Sequence, residues 1–258
     1  MKTNKSWIVL IVLAVMGFST MAHAEWHFGI GTGLFFLNAE GTEGFHSIVL
    51  DRAVELDLDM DPDDFSDVTD TAFGLGGYAT DGTWLIKYSI GVLKLEDSAS
   101  TTLSNPPATI IAKLDYDITA GEVIVGYPVL SNDSFTLRAE GGVRYIRHDI
   151  NLGVTANSTF RNRNIDESWT DFLVGLSLAV PLAEKWSWDS QVNAGFGGSD
   201  GTYGAQTGVT WQFYKRWSTT LYGNYTAIEY ENSSKGQSDW YLYDVDEYGV
   251  GLSVLYNW

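Results

Sequence analysis

From Tyr248 to Trp258, apolar or aromatic side chains occupy every second position: Tyr248, Val250, Leu252, Val254, Tyr256 and Trp258. Gly249, Gly251, Ser253 and Asn257 alternate with them, and Leu255 is the one exception. A period of two sends successive side chains to opposite faces of a strand, so this segment has one oily face and one small or polar face. An aromatic strand left at the open edge of a soluble sheet would template aggregation. A closed barrel has no edge, and a barrel in a membrane needs an oily outer face. The segment therefore reads as the last strand of a transmembrane barrel.

The same alternation recurs upstream. Trp186, Trp188, Val192, Ala194 and Phe196 oppose Ser187, Asp189, Gln191, Asn193 and Gly195. Tyr203, Val209, Trp211 and Phe213 oppose Gln206, Thr210 and Gln212, and Trp217, Leu221 and Tyr225 oppose Ser218, Thr220 and Asn224. The expected fold is all-β: an antiparallel, up-and-down transmembrane barrel of about ten strands, with eight as the alternative. The strands are placed at 26–38, 70–79, 83–95, 112–127, 135–149, 169–182, 186–196, 202–213, 217–230 and up to Trp258. Asp81-Gly82 is a two-residue hairpin signal. The fourth strand loses phase near Gly121-Glu122, where a bulge is expected.

The N-terminus predicts a secretory signal peptide over residues 1–24. Lys2 and Lys5 precede a short apolar run from Trp7 to Val15, and Ala22-His23-Ala24 is an A-x-A cleavage site. That run is too short to cross a bilayer, which needs about 20 apolar residues. Cleavage leaves residues 25–258 as one barrel domain, with 13 basic against 33 acidic residues. A chain so acidic is repelled by nucleic acid. With no cysteine in the sequence, no disulfide can contribute. No cofactor is implied, and a monomer in contact with membrane lipid is expected.

Trp84, Tyr127, Trp186, Phe213 and Trp217 all fall beside short turns. They are the expected aromatic girdle at the periplasmic interface. On the polar phase lie Lys87, Arg138, Glu140, Arg144, Asp171 and Asp189. Small barrels are filled by side chains, so these six predict an ion-pair and hydrogen-bond network in the lumen; a charged constriction selecting solutes is the other reading.

The last strand resembles those of Gram-negative outer-membrane β-barrels. That resemblance implies that Val254, Tyr256 and Trp258 form the sorting signal read by the barrel assembly machinery. The C-terminal half is also similar to an uncharacterised family of small bacterial outer-membrane barrels. The matching pieces are Trp169-x-Asp171-x-x-Val174-Gly175, Trp186, Gly195-Phe196-Gly197-Gly198-Ser199-Asp200, Thr210-Trp211-Gln212 and Gly142-x-Arg144-Tyr145. It implies fold and location, and no activity.

Two further features bear on function. Residues 55–70 carry Glu55, Asp57, Asp59, Asp61, Asp63, Asp64, Asp67 and Asp70, with Leu56, Leu58 and Met60 between. The spacing hints at calcium but lacks the glycine and distal glutamate of an EF-hand loop, so a solvated face on a short amphipathic strand or turn is expected, and no metal site. His27, His46 and His148 are the only histidines after residue 24, and no H-E-x-x-H occurs. The sequence thus favours a structural or passive barrel, with a narrow channel as its open form, over an enzyme. A surface enzyme acting on lipid or peptide and a binding protein using its acidic loops are the alternatives.

Overall fold

The computed structural model describes residues 25–47, 51–104, 107–156 and 159–258. The segment read as a signal peptide, residues 1–24, lies outside them. The elements in order are β1 (His27–Ser47), β2 (Arg52–Met60), α1 (Pro62–Val68), β3 (Thr69–Thr80), β4 (Leu85–Ser104), β5 (Pro107–Ser131), β6 (Thr136–Ala156), β7 (Thr159–Ala183), β8 (Trp186–Phe196), β9 (Gly201–Tyr214), β10 (Trp217–Glu231) and β11 (Tyr241–Asn257). From β3 to β11 each strand pairs antiparallel with the next, and β11 returns to pair with β1. The closure runs from Gly29 opposite Asn257 to Phe45 opposite Tyr241. Phe28 and Trp258 extend it by donating to each other's carbonyls, both at 2.9 Å.

The sheet has eleven strands where about ten were expected. β1 pairs with β3 only over His27–Thr32; over Ala39–Ser47 the same side of β1 pairs with β2 instead. Ten strands therefore reach the end marked by the short turns, and β2 thickens the wall at the other end. The acidic stretch belongs to β2 and α1. Asp61 caps α1, accepting from the backbone N–H of Asp63 (2.8 Å) and Asp64 (3.0 Å), and the Asp64 carboxylate accepts from Asp61 N–H at 3.1 Å. This reciprocal capping satisfies helix donors that would otherwise be orphaned.

The expected bulge at Gly121-Glu122 does not exist: the β4–β5 register runs unbroken, with Gly121 opposite Ile90 and Glu122 opposite Ser89. The irregularity in β5 lies at Pro128, between the pairs Pro128–Arg138 and Leu130–Leu137. Proline has no N–H to give the ladder, so the register slips there.

The short turns are held by side chains. The Asp81 carboxylate accepts from Thr83 N–H (2.9 Å) and Trp84 N–H (2.7 Å), and Gly82 takes a φ of +86°. Asn132 does the same for Ser134 (2.8 Å) and Phe135 (3.1 Å). These are Asx-turns, which substitute a side chain for a backbone bond.

Outward positions carry Leu34, Phe36, Phe172, Val174, Val192, Leu221, Val250 and Leu252, each between 48% and 70% exposed. A continuous apolar surface of this kind is stable only against hydrocarbon. Toward the far end the outward face becomes charged. Lys94 pairs with Asp117 at 2.8 Å, and Arg147 with Asp166 at 2.9 Å and Asp149 at 3.5 Å. The lipid band ends at that row. β4 to β7 run 20 to 25 residues, against ~9–11 needed to span, so their far ends stand clear of the membrane. Leu255, the exception to the alternation, fills the lumen over Gly31, where a Cβ would lie 2.2 Å from the Val254 carbonyl.

Candidate functional site: the barrel lumen

Near the short-turn end the lumen is polar. Lys87 on β4 meets Glu140 on β6 with Nζ 2.8 Å from Oε1, and Lys87 also donates to Gln191 of β8. The Glu140 side chain is 2% exposed and that of Lys87 28%. Arg144 donates through Nε (2.9 Å) and Nη2 (2.6 Å) to one oxygen of Glu122. Asp189 accepts from Ser187 at 3.1 Å and feels the charges of Arg138 and Lys87. Five of the six charges expected in the lumen thus lie in two linked groups across β4, β5, β6 and β8.

Asp171 stands apart from them. It is fully buried on β7, and its carboxylate accepts from Gly198 N–H (3.0 Å), Ser199 N–H (2.8 Å), Ser199 Oγ (2.8 Å) and Thr202 Oγ1 (2.9 Å). These four donors explain its burial: it organises the β8–β9 turn and, among the described residues, joins no ion pair. Glu122, which the expected bulge left without a lumen role, supplies the carboxylate of the second ion pair. Its inward phase is plain once the unbroken β5 register is known.

Beyond the polar layer the lumen is filled. Ile146, Ile150, Ile165, Trp169, Ile228, Tyr230, Tyr241, Tyr243 and Val245 form one buried cluster, with Phe65 and Val68 of α1 packed against it. Trp169 stacks on Tyr230 with ring centroids 4.2 Å apart. Aromatics on the inward phase of the far strand ends carry no signal in the sequence, because alternation assigns aromatics to lipid.

Inside this cluster is a chain of polar groups. Tyr241 donates to Glu43 Oε1 at 2.8 Å, and the hydroxyls of Tyr241 (2.7 Å) and Tyr116 (2.8 Å) flank His148 Nδ1. With the Tyr241 proton given to Glu43, His148 Nδ1 either accepts from the Tyr116 hydroxyl or donates to one of the two hydroxyl oxygens, according to its tautomer. His148 lies one residue beyond Arg147, outside the lipid band. Burial pushes the Glu43 carboxyl up to about 7, against smaller lowering by the Tyr241 and Tyr116 hydrogen bonds. Burial also pushes the His148 imidazole down to about 3. His148 is therefore held neutral, and Glu43 is neutral in a large share of molecules up to about pH 7, which is how a low-dielectric interior tolerates them.

The remaining sequence expectations are placed as follows. Trp84 packs on Tyr127 (4.9 Å), Trp186 stacks on Trp211 (5.5 Å), Trp211 touches Phe213 (5.8 Å) and Trp217 meets Tyr256 (5.1 Å), all beside the short turns. Trp258 lies between Phe28 and Tyr256, at 5.7 and 5.9 Å, and Val254 faces outward, 39% exposed. His46 lies 3.4 Å from Asp51, so it and His148 have different partners. Among the described residues no group of three or more His, Asp and Glu is arranged to hold a metal ion.

No family model matches the chain, and no curated protein matches it. Solved structures do. The outer membrane protease OmpT from Escherichia coli is 10% identical, with a TM-score of 0.54 over 92% of this chain and 99% of that one. The translocator domain of the autotransporter NalP from Neisseria meningitidis is 12% identical, with a TM-score of 0.46 over 96% and 94%. Ail, the attachment invasion locus protein of Yersinia pestis, is 11% identical, with a TM-score of 0.37 over 91% and 99%. At 10% identity the first likeness shows the fold alone, and that fold is the outer-membrane β-barrel of Gram-negative bacteria.

Proposed function

We propose that this outer-membrane β-barrel is a structural envelope protein with a sealed lumen, in which neither conduction nor catalysis takes place. One observation carries the reading. The far half of the lumen is a packed core in which Trp169 and Tyr243 are 4% exposed and Tyr241 0%. A water path would have to cross that core. The polar layer beneath it then acts as a filled plug, in which the Lys87–Glu140 and Arg144–Glu122 pairs offset charges that would be costly alone away from bulk water. His148, 1% exposed, is out of reach of a substrate.

The refolded protein, inserted in a planar bilayer, is expected to show no stepwise current above the leak of the bare membrane. Discrete conductance steps from the wild-type chain overturn the sealed reading and favour the narrow channel.

Location in the outer membrane, export by a cleaved signal at 1–24 and a monomeric barrel complete the proposal. Assembly would rely on Val254, Tyr256 and Trp258 as the segment bound by the barrel assembly machinery. Deleting Trp258, or Trp258→Asp, is expected to leave export intact and to lower the fraction in the outer membrane several-fold, read by membrane fractionation. Undiminished assembly of both variants shows that the signal lies elsewhere.

A further inference from the structure

β2 is the terminal strand of the sheet: it pairs with β1 and, among the described residues, with no other strand. Every second residue of such a strand directs its N–H and C=O away from the sheet, and these groups can template another strand. Register fixes its faces. Leu56 stands opposite Glu43, on the inward phase, yet is 46% exposed. Glu55, Asp57 and Asp59 alternate with the apolar residues and are exposed on the outward phase. Asp59 is the cross-strand neighbour of Glu40, and Glu40 of Asp246. Like charges directly opposite one another destabilise a sheet, so this row costs the fold something and awaits cations. Lys235 reaches into this face, 2.6 Å from Glu55 Oε1.

We propose that the free edge of β2 takes up an extended basic segment of a partner polypeptide as an added strand, its cationic residues alternating with apolar ones. An added strand shares the pleat of the strand it joins. Its outward side chains therefore come beside Glu55, Asp57 and Asp59, and its inward side chains beside Leu56. The main chain supplies the hydrogen bonds and the carboxylates select the partner. A second copy of this chain fits poorly, since joining two β2 edges sets aspartate against aspartate. The inference is independent of whether the lumen conducts.

The probe is a synthetic peptide of alternating lysine and valine, as long as β2, titrated by fluorescence anisotropy against the full refolded protein in neutral detergent. Saturable binding is expected, with slowed deuterium exchange of the β2 amides. A peptide of identical sequence, N-methylated at alternate residues on its pairing edge, keeps its charge and loses its donors; it is expected to bind at least tenfold more weakly. The exposed double variant Asp57→Asn/Asp59→Asn, checked for its folded gel mobility, is expected to bind roughly five- to tenfold more weakly, as loss of two exposed ion pairs predicts. Equal binding of the methylated peptide, or unchanged β2 exchange, shows diffuse charge attraction and overturns strand addition. Unchanged affinity in the double variant overturns the charge selection, and concentration-dependent dimers sealed through β2 replace the partner by a second copy.

Discussion

Glu140→Ala lowers the stability of the folded barrel by about 3 kcal/mol, the lower end of the range for removing one partner of a buried ion pair. The Glu140 side chain is 2% exposed, and its removal leaves Lys87 hydrogen-bonded to Gln191, with the Asp189 carboxylate as its nearby opposite charge. Lys87 is 28% exposed, so water relieves part of the uncompensated charge and holds the loss below the upper end. Asp133→Ala, in an exposed turn, is the comparison and is expected to stay within ~0.5 kcal/mol. Lys87→Met combined with Glu140→Ala removes both charges and should recover most of the loss. The midpoint of heat-modified gel mobility in detergent reads all three. A loss in Glu140→Ala no larger than in Asp133→Ala shows that the lumen around Glu140 is wet enough to make the pair dispensable.

Glu43→Gln changes the pH dependence of stability in a direction fixed by two opposing groups. Glu43 is raised from its ordinary 4.5 to about 7, so its contribution is full below pH 4.5 and is lost as pH rises through 7. His148 is lowered from 6.5 to about 3, so its contribution is full above pH 6.5 and is lost as pH falls through 3. Integrated, these amount to about 3 and about 5 kcal/mol. Between pH 4.5 and 6.5 they cancel, and wild-type stability is expected to be flat there, falling toward pH 3. In Glu43→Gln only His148 titrates. Its stability should keep rising up to pH 6.5, so that the variant gains about 3 kcal/mol on wild type between pH 4.5 and pH 8. Melting midpoints across that interval test this, and parallel curves for the two proteins would show that Glu43 is not buried uncharged.

What the sequence reveals is set by range. The lipid-facing set of β11, the inward turn of Leu255 and the Asp81-Gly82 hairpin all follow from residues near one another in the chain. The partner of Arg144 does not: Glu122 was hidden by an assumed slip in β5, and one residue of error sends a whole strand segment to the wrong face. Asp171 shares the phase of the lumen charges, but the donors that hold it come from a turn 27 to 31 residues away. β2 was half legible: Leu56, Leu58 and Met60 between the acidic residues announce a short amphipathic strand or turn, but not that β1, much longer than a bilayer requires, offers it an edge. The filled outer lumen depends on Tyr116, Trp169, Tyr241 and Tyr243, whose meeting is a matter of barrel closure and leaves no periodic trace.

That same diversion of β1 has a mechanical consequence. β1 holds β11 along seventeen paired positions and β3 along only six. A cylinder stitched unevenly parts at its shortest row of stitches. Thermal opening of this barrel therefore starts between β1 and β3, whatever the chemistry of its interior, and the lifetime of the folded protein is governed by a line of backbone bonds from His27 to Thr32.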